Sequence, residues 1–163
     1  MRTFDEFAEH WLSKLSEHVQ TRICRSPRSE FPGDPVRSAN LFVSALGYKP
    51  LTPFEHKGQI YGRWFNLAEV NRVYSGVNPA DYAGHLADTL RHDMVHSSYE
   101  MLSDADARAC AEGFYSYFAG GNVTRLANRL GNGWNSITKS TFEAAYIAMD
   151  DDWIGLFLLE AED

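Results

Sequence analysis

Cysteine is scarce in this chain: Cys24 and Cys110 are the only two, far apart and outside any Cys-x-x-Cys spacing. That excludes a disulfide framework or a cysteine-built metal site, and with nothing resembling a signal peptide it points to a reducing cytoplasm. Long apolar runs are missing as well. The longest, Trp153 to Leu159, falls far short of the roughly 20 residues that cross a bilayer, so no membrane role is expected. Positive charge is in deficit, with 15 basic against 22 acidic residues and a net charge of −7. This argues against a generic polyanion-binding surface but leaves room for a small basic site. There is no nucleophile elbow, no Gly-x-Gly-x-x-Gly and no phosphate loop.

What is present is the composition of a folded protein, 44% apolar and 13% aromatic over 163 residues without a break. One domain over 1–163 is expected, large enough to bury a core without staples. Helix signals dominate. Thr3 and Glu6 form a capping box, behind which Phe4, Phe7, Ala8, Trp11, Leu15 and Val19 recur at helical spacing to about Arg22. Cys24 to Asp34 carries Pro27, Pro32 and Gly33 and reads as a loop.

Asp34-Pro35 and Asn78-Pro79 are cap-plus-proline starts, the second followed by the stripe Ala83, Leu86, Ala87, Leu90 and Met94, and Ser103 caps a further helix that Gly120-Gly121 stops. Short helices are expected over 66–74, over 122–130 closed by Gly131, and over 138–149. The Asp150-Asp151-Asp152 triplet suits the N-terminus of a last helix, Trp153 to Ala161, with a terminal strand as the alternative. The expected fold is therefore mostly α, a compact helical bundle, with a short hairpin or extended segment around residues 57–65.

Chemically capable side chains crowd one place. Arg91, His92, Asp93 and His96 fall within six positions at the end of the helix that starts at Pro79. Two pairings fit them. His92 and His96 stand at i and i+4, so on a continuous helix they can share a Zn2+, with Asp93 beside them and Glu100, Asp104 or Glu112 as a third ligand. That would make a metal-dependent hydrolase. Arg91 and His96 lie about 140 degrees apart on an ideal helix, so they converge only if the helix ends near Val95, which Ser97-Ser98 permits. In a purely structural alternative, Arg91 pairs with Asp88 and His96 caps the helix end.

The string Leu90-Arg91-His92-Asp93-Met94-Val95-His96-Ser97-Ser98-Tyr99 resembles the signature of HEPN domains, an Arg-x4-His motif at the end of a core helix in a helical bundle. His92 stands where that family often has Asn. The resemblance implies a metal-independent ribonuclease or RNA-binding protein of a prokaryotic or phage conflict system, in the manner of toxin-antitoxin or phage-defence proteins. Arg91 would neutralise the scissile phosphate and His96 transfer protons, with His92 and Asp93 accessory and no cofactor. It also implies a homodimer, since such sites are often composite.

Arg125 and Arg129, at helical spacing with Asn122 and Asn128, are the candidate substrate-binding residues. Arg22, Arg25 and Arg28 can form a local basic patch, and Tyr61, Trp64 and Phe65 can stack on bases or fill a core. The remaining reading is a non-catalytic interaction protein, an inhibitor or antitoxin-like partner of another protein, for which a small acidic domain is suitable.

Overall fold

Helix starts follow local capping chemistry. In the computed structural model, which describes residues 2–70, 78–130 and 133–162, Thr3 and Glu6 close a reciprocal capping box on α1 (Phe4–Leu15). Asp34 caps α2 (Pro35–Ala45), with Pro35 at its first position. Asn78-Pro79 opens only a 3-10 turn (Pro79–Asp81), and Asp81 then caps α3 (Tyr82–Arg91) by accepting from the Gly84 amide. Ser103 caps α4 (Asp104–Ser116).

The expectation of a mostly helical bundle is wrong. Five strands form one antiparallel sheet in the order β1-β9-β8-β5-β4, made of β1 (Gln20–Pro27), β4 (Phe65–Asn66), β5 (Thr124–Ala127), β8 (Phe142–Met149) and β9 (Trp153–Ala161). The fold is mixed α and β. The end of the helix expected to about Arg22 and the first part of the loop expected from Cys24 together become β1, which pairs with β9 along its whole length from Gln20 opposite Glu160 to Pro27 opposite Trp153. Pro27 is tolerated because β1 is an edge strand, where a missing amide donor breaks no ladder.

The physical reason for the error lies in β8 and β9. Ala144, Tyr146, Ala148, Phe157 and Leu159 belong to one buried cluster with residues of α1, α3 and α4. Their neighbours Ala145, Ile147, Met149, Ile154, Leu156 and Leu158 belong to a second cluster with Ala39, Phe42 and Val43 of α2, Leu51, Trp64 and Ile137. A strand buried on both faces shows no alternation of apolar and polar residues, and the alanines of β8 read as helix formers. The sheet is thus the middle of three layers.

Asp150 to Asp152 makes the tight β8–β9 turn, not a helix start. One Asp150 oxygen accepts from the amides of Asp152 (2.8 Å) and Trp153 (2.7 Å), and the other from the Gly120 amide (2.9 Å). A hairpin of β2 (Phe54–His56) and β3 (Gln59–Tyr61) turns at Lys57-Gly58, both with positive φ. A further two-stranded ladder joins β6 (Arg129–Leu130) to β7 (Gly133–Trp134). Of the helix expected over 66–74, residues 66–70 form a strand end and a turn, and the rest lies outside the described residues, as does Gly131. No helix among the described residues is long and apolar enough to cross a membrane.

Candidate functional site

Helix α3 stops at Arg91, before the motif residues His92, Asp93 and His96. His92 is already extended (φ −127°, ψ 144°) and forms an antiparallel bridge with Glu100. The chain returns through hydrogen bonds from the Asp93 amide to the Tyr99 carbonyl (3.0 Å) and from the Met101 amide to the Arg91 carbonyl (2.7 Å). Asp93 supplies the local cause. Its carboxylate accepts from the amides of Val95 (2.7 Å) and His96 (3.0 Å), an Asx-type turn that competes with continuing the helix.

His92 and His96 therefore do not share a helical face. Glu100 meets His92 through the backbone and its side chain is exposed. Among the described residues no group of three His, Cys, Asp or Glu side chains is placed to hold a metal ion.

Arg91 is engaged by acids of the helix layer. Its guanidinium donates to Asp88 (2.6 Å) and to Asp104 (3.3 Å), so two carboxylates occupy the fork that a phosphate would take. His96 is exposed, its ring edge-on to Tyr99 at 6.0 Å. It lines a groove of about 290 Å3 together with Asp93, His18, Ser140, Glu160 and Glu162, and Arg91 is not part of that lining. The structure thus brings Asp93 and His96 together with His18, but does not bring Arg91 into the groove. Ser140 donates to Glu160 (2.9 Å) and Thr141 to Glu162 (2.6 Å), and the Thr141 hydroxyl holds the Glu162 carboxyl below its ordinary value. Three carboxylates around His96 make the groove unfavourable to a phosphodiester.

Arg125 and Arg129 lie on strands β5 and β6, so the expected i, i+4 face of a helix does not exist. The Arg125 guanidinium lies on the Tyr82 ring, 3.6 Å from its centroid. Arg129 reaches the Met94 sulfur (3.4 Å) and lies over Trp134 (5.3 Å). Asn128 is fully buried, donating to Glu143 (2.9 Å) and to the Asn135 carbonyl (3.0 Å) and accepting from the Ala145 amide (2.7 Å). Its side chain is engaged within the sheet layer.

Each arginine of the expected basic patch has a structural contact. Arg22 donates to the Tyr48 hydroxyl (3.2 Å), Arg25 packs on Trp153 (4.0 Å), and Arg28 donates to the carbonyls of Asp150 and Gly33 (3.2 Å each). Trp64 is core and donates to Asn40 (2.8 Å). Both thiols are raised by burial, so neither is a ready nucleophile.

Two features go beyond the sequence reading, which expected a short hairpin or extended segment around residues 57–65 and took Tyr61 for a base-stacking or core residue. The β2–β3 hairpin presents Phe54 (59% exposed), Ile60 (53%) and Tyr61 (42%) to solvent, with Phe54 and Tyr61 stacked at 5.7 Å. The Lys57-Gly58 turn was the available signal, since only a turn tolerating positive φ pairs such short strands. The other is the set of tyrosines around Arg125, which no local pattern announces because Tyr82 and Tyr115 come from different helices. No family model matches the chain, and no curated protein or solved structure matches it.

Proposed function

We propose that this protein acts by binding a partner protein, as an acidic inhibitor or antitoxin-like molecule, and does not cleave RNA. The observation that carries this reading is the stacked, solvent-exposed Phe54–Tyr61 pair at the open end of the β2–β3 hairpin, with Ile60 exposed on the opposite face of the same strand. Large apolar side chains exposed together mark contact surfaces, and aromatic anchors supply most of the affinity in such contacts. The pairing of Arg91 with Asp88 and Asp104 adds support, because it leaves the Arg-x4-His string without its phosphate-binding fork. With a net charge of −7, the partner is a protein with a basic surface around an apolar pocket, and opposite charge speeds the encounter.

The test is affinity purification from the source cells with three forms of the chain, alongside an RNA-cleavage assay. A partner retained by R91A/H96A and weakened at least tenfold by F54S/Y61S is expected, with no cleavage by any form. A partner retained in full by F54S/Y61S, no partner at all, or RNA cleavage that H96A abolishes would overturn the reading. Sedimentation adds a further arm: a dimer broken by F54S/Y61S would assign the hairpin to a second copy instead.

A further inference from the structure

Between α3, α4 and β5 lies a cavity of about 330 Å3 whose floor includes Tyr82, Tyr115 and Arg125 and whose mouth carries Asp81, Arg108 and Glu112. Tyr115 is only 3% exposed, and its hydroxyl has no hydrogen-bond partner among the described residues. The Nε of Arg125 is equally shut away from water and equally unpartnered. No hydrogen bond or ion pair serves the Arg125 side chain among the described residues. Its planar group rests on Tyr82 at 3.6 Å and lies 5.9 Å from the Tyr115 ring. Buried polar groups in folded proteins are almost always paired, so two unpaired groups on side chains of one cavity's lining point to a ligand that completes them.

Their chemistry defines that ligand. Burial raises the Tyr115 phenol well above its ordinary value, with Tyr146 adding to the shift, so the hydroxyl keeps its proton and donates. Arg125 can only donate. Two donors, one of them cationic, call for an oxyanion.

The mouth restricts its charge. Arg108 is taken up by Asp81 (2.7 Å) and Glu112 (2.8 Å), a cluster of one net negative charge, which leaves Arg125 as the one cation among the lining residues not paired with a carboxylate. A dianion would face both carboxylates with no second cation left over, whereas a monoanion needs Arg125 alone. The Tyr82 and Phe118 rings that complete the walls suit an apolar body.

We infer that this cavity binds a small monocarboxylic acid, its carboxylate taken by the Arg125 guanidinium and the Tyr115 hydroxyl and its apolar part held against Tyr82 and Phe118. The Tyr82 ring, partly exposed at the first position of α3, packs over the guanidinium and edge-on to Tyr115 at 4.9 Å.

Benzoate serves as the probe, titrated by calorimetry and by thermal shift on the full chain, with inorganic phosphate as the comparison. Saturable benzoate binding is expected, weakened about tenfold by Y115F and abolished by R125M. The ligand-free Y115F protein is expected to melt no lower than the wild type, because the substitution removes an unpaired hydroxyl; this separates lost binding from lost folding. Benzoate binding unchanged in both variants, no binding of benzoate, or phosphate binding more tightly than benzoate at a site that R125M destroys would overturn the inference.

Discussion

Glu143 should be the most sensitive polar position in the protein. It lies on β8 with no exposed surface, opposite Glu160 of β9, and four donors meet its carboxylate. One oxygen accepts from the Asn128 amide group and the Ile137 backbone amide, both at 2.9 Å; the other accepts from the Thr138 amide (3.0 Å) and hydroxyl (2.8 Å). No cation takes part in this set.

In Glu143→Gln one oxygen becomes an NH2 group. The least costly placement is toward Thr138, whose hydroxyl can rotate to accept, which still orphans the Thr138 amide. An orphaned buried amide costs about 1–3 kcal/mol, and two remaining bonds fall from charged to neutral strength at about 1 kcal/mol each, partly offset by no longer burying a charge. The net is about 2–4 kcal/mol. For a domain of this size that lowers the melting temperature by roughly 4–16 °C.

Glu143→Leu should be worse, since it removes both acceptors and leaves the Asn128, Ile137 and Thr138 donors together. Calorimetry and urea unfolding read both variants. A Gln variant within about 0.5 kcal/mol of the wild type, or a Leu variant more stable than Gln, would refute the assignment of the carboxylate as the hub of this network.

Two further outcomes follow from particular contacts. His85 is held below its ordinary value of 6.5, first by burial and then by the positive charge of Arg129, against an opposing pull from Asp88. The unfolded chain therefore binds more protons than the folded one below that value, so the stability contributed by neutral His85 is complete above it and lost as pH falls through the folded pKa. Urea midpoints measured from about pH 7 down to about pH 5 should fall in the wild type and fall less in His85→Phe, which keeps a ring edge-on to Tyr146; a constant difference between the two proteins across that window would contradict this. Gly155 on β9 faces Phe118, and a Cβ at that position would sit inside the buried ring. Gly155→Ala should cost about 1–3 kcal/mol, read by urea unfolding and recovered in part by adding Phe118→Leu; an additive double mutant would show that the two side chains do not collide.

Reach along the chain separates what was legible in the sequence from what was not. The caps at Thr3, Asp34 and Ser103 each bond an amide three residues on, so the starts of α1, α2 and α4 are determined by the sequence alone. The Asp88–Arg91 pair, three residues apart, was readable in the same way. Asp104 is the thirteenth residue beyond Arg91 and reaches it only because the 92–100 segment folds back.

The strands depended on the tertiary structure. Nothing within Phe142–Met149 or Trp153–Ala161 distinguishes a helix from a strand covered on both sides, because the apolar residues run without a period. What decides is that α1, α3 and α4 cover one face and α2 the other. The same holds for the candidate sites. Arg125 acquires its meaning from Tyr82 and Tyr115 on two helices, and Phe54 and Tyr61 from a turn that brings them together. The sequence by itself determined where helices begin and which residues carry charge. The tertiary structure decided which segments are strands and which charges are already spent, because both depend on neighbours that are distant in the chain.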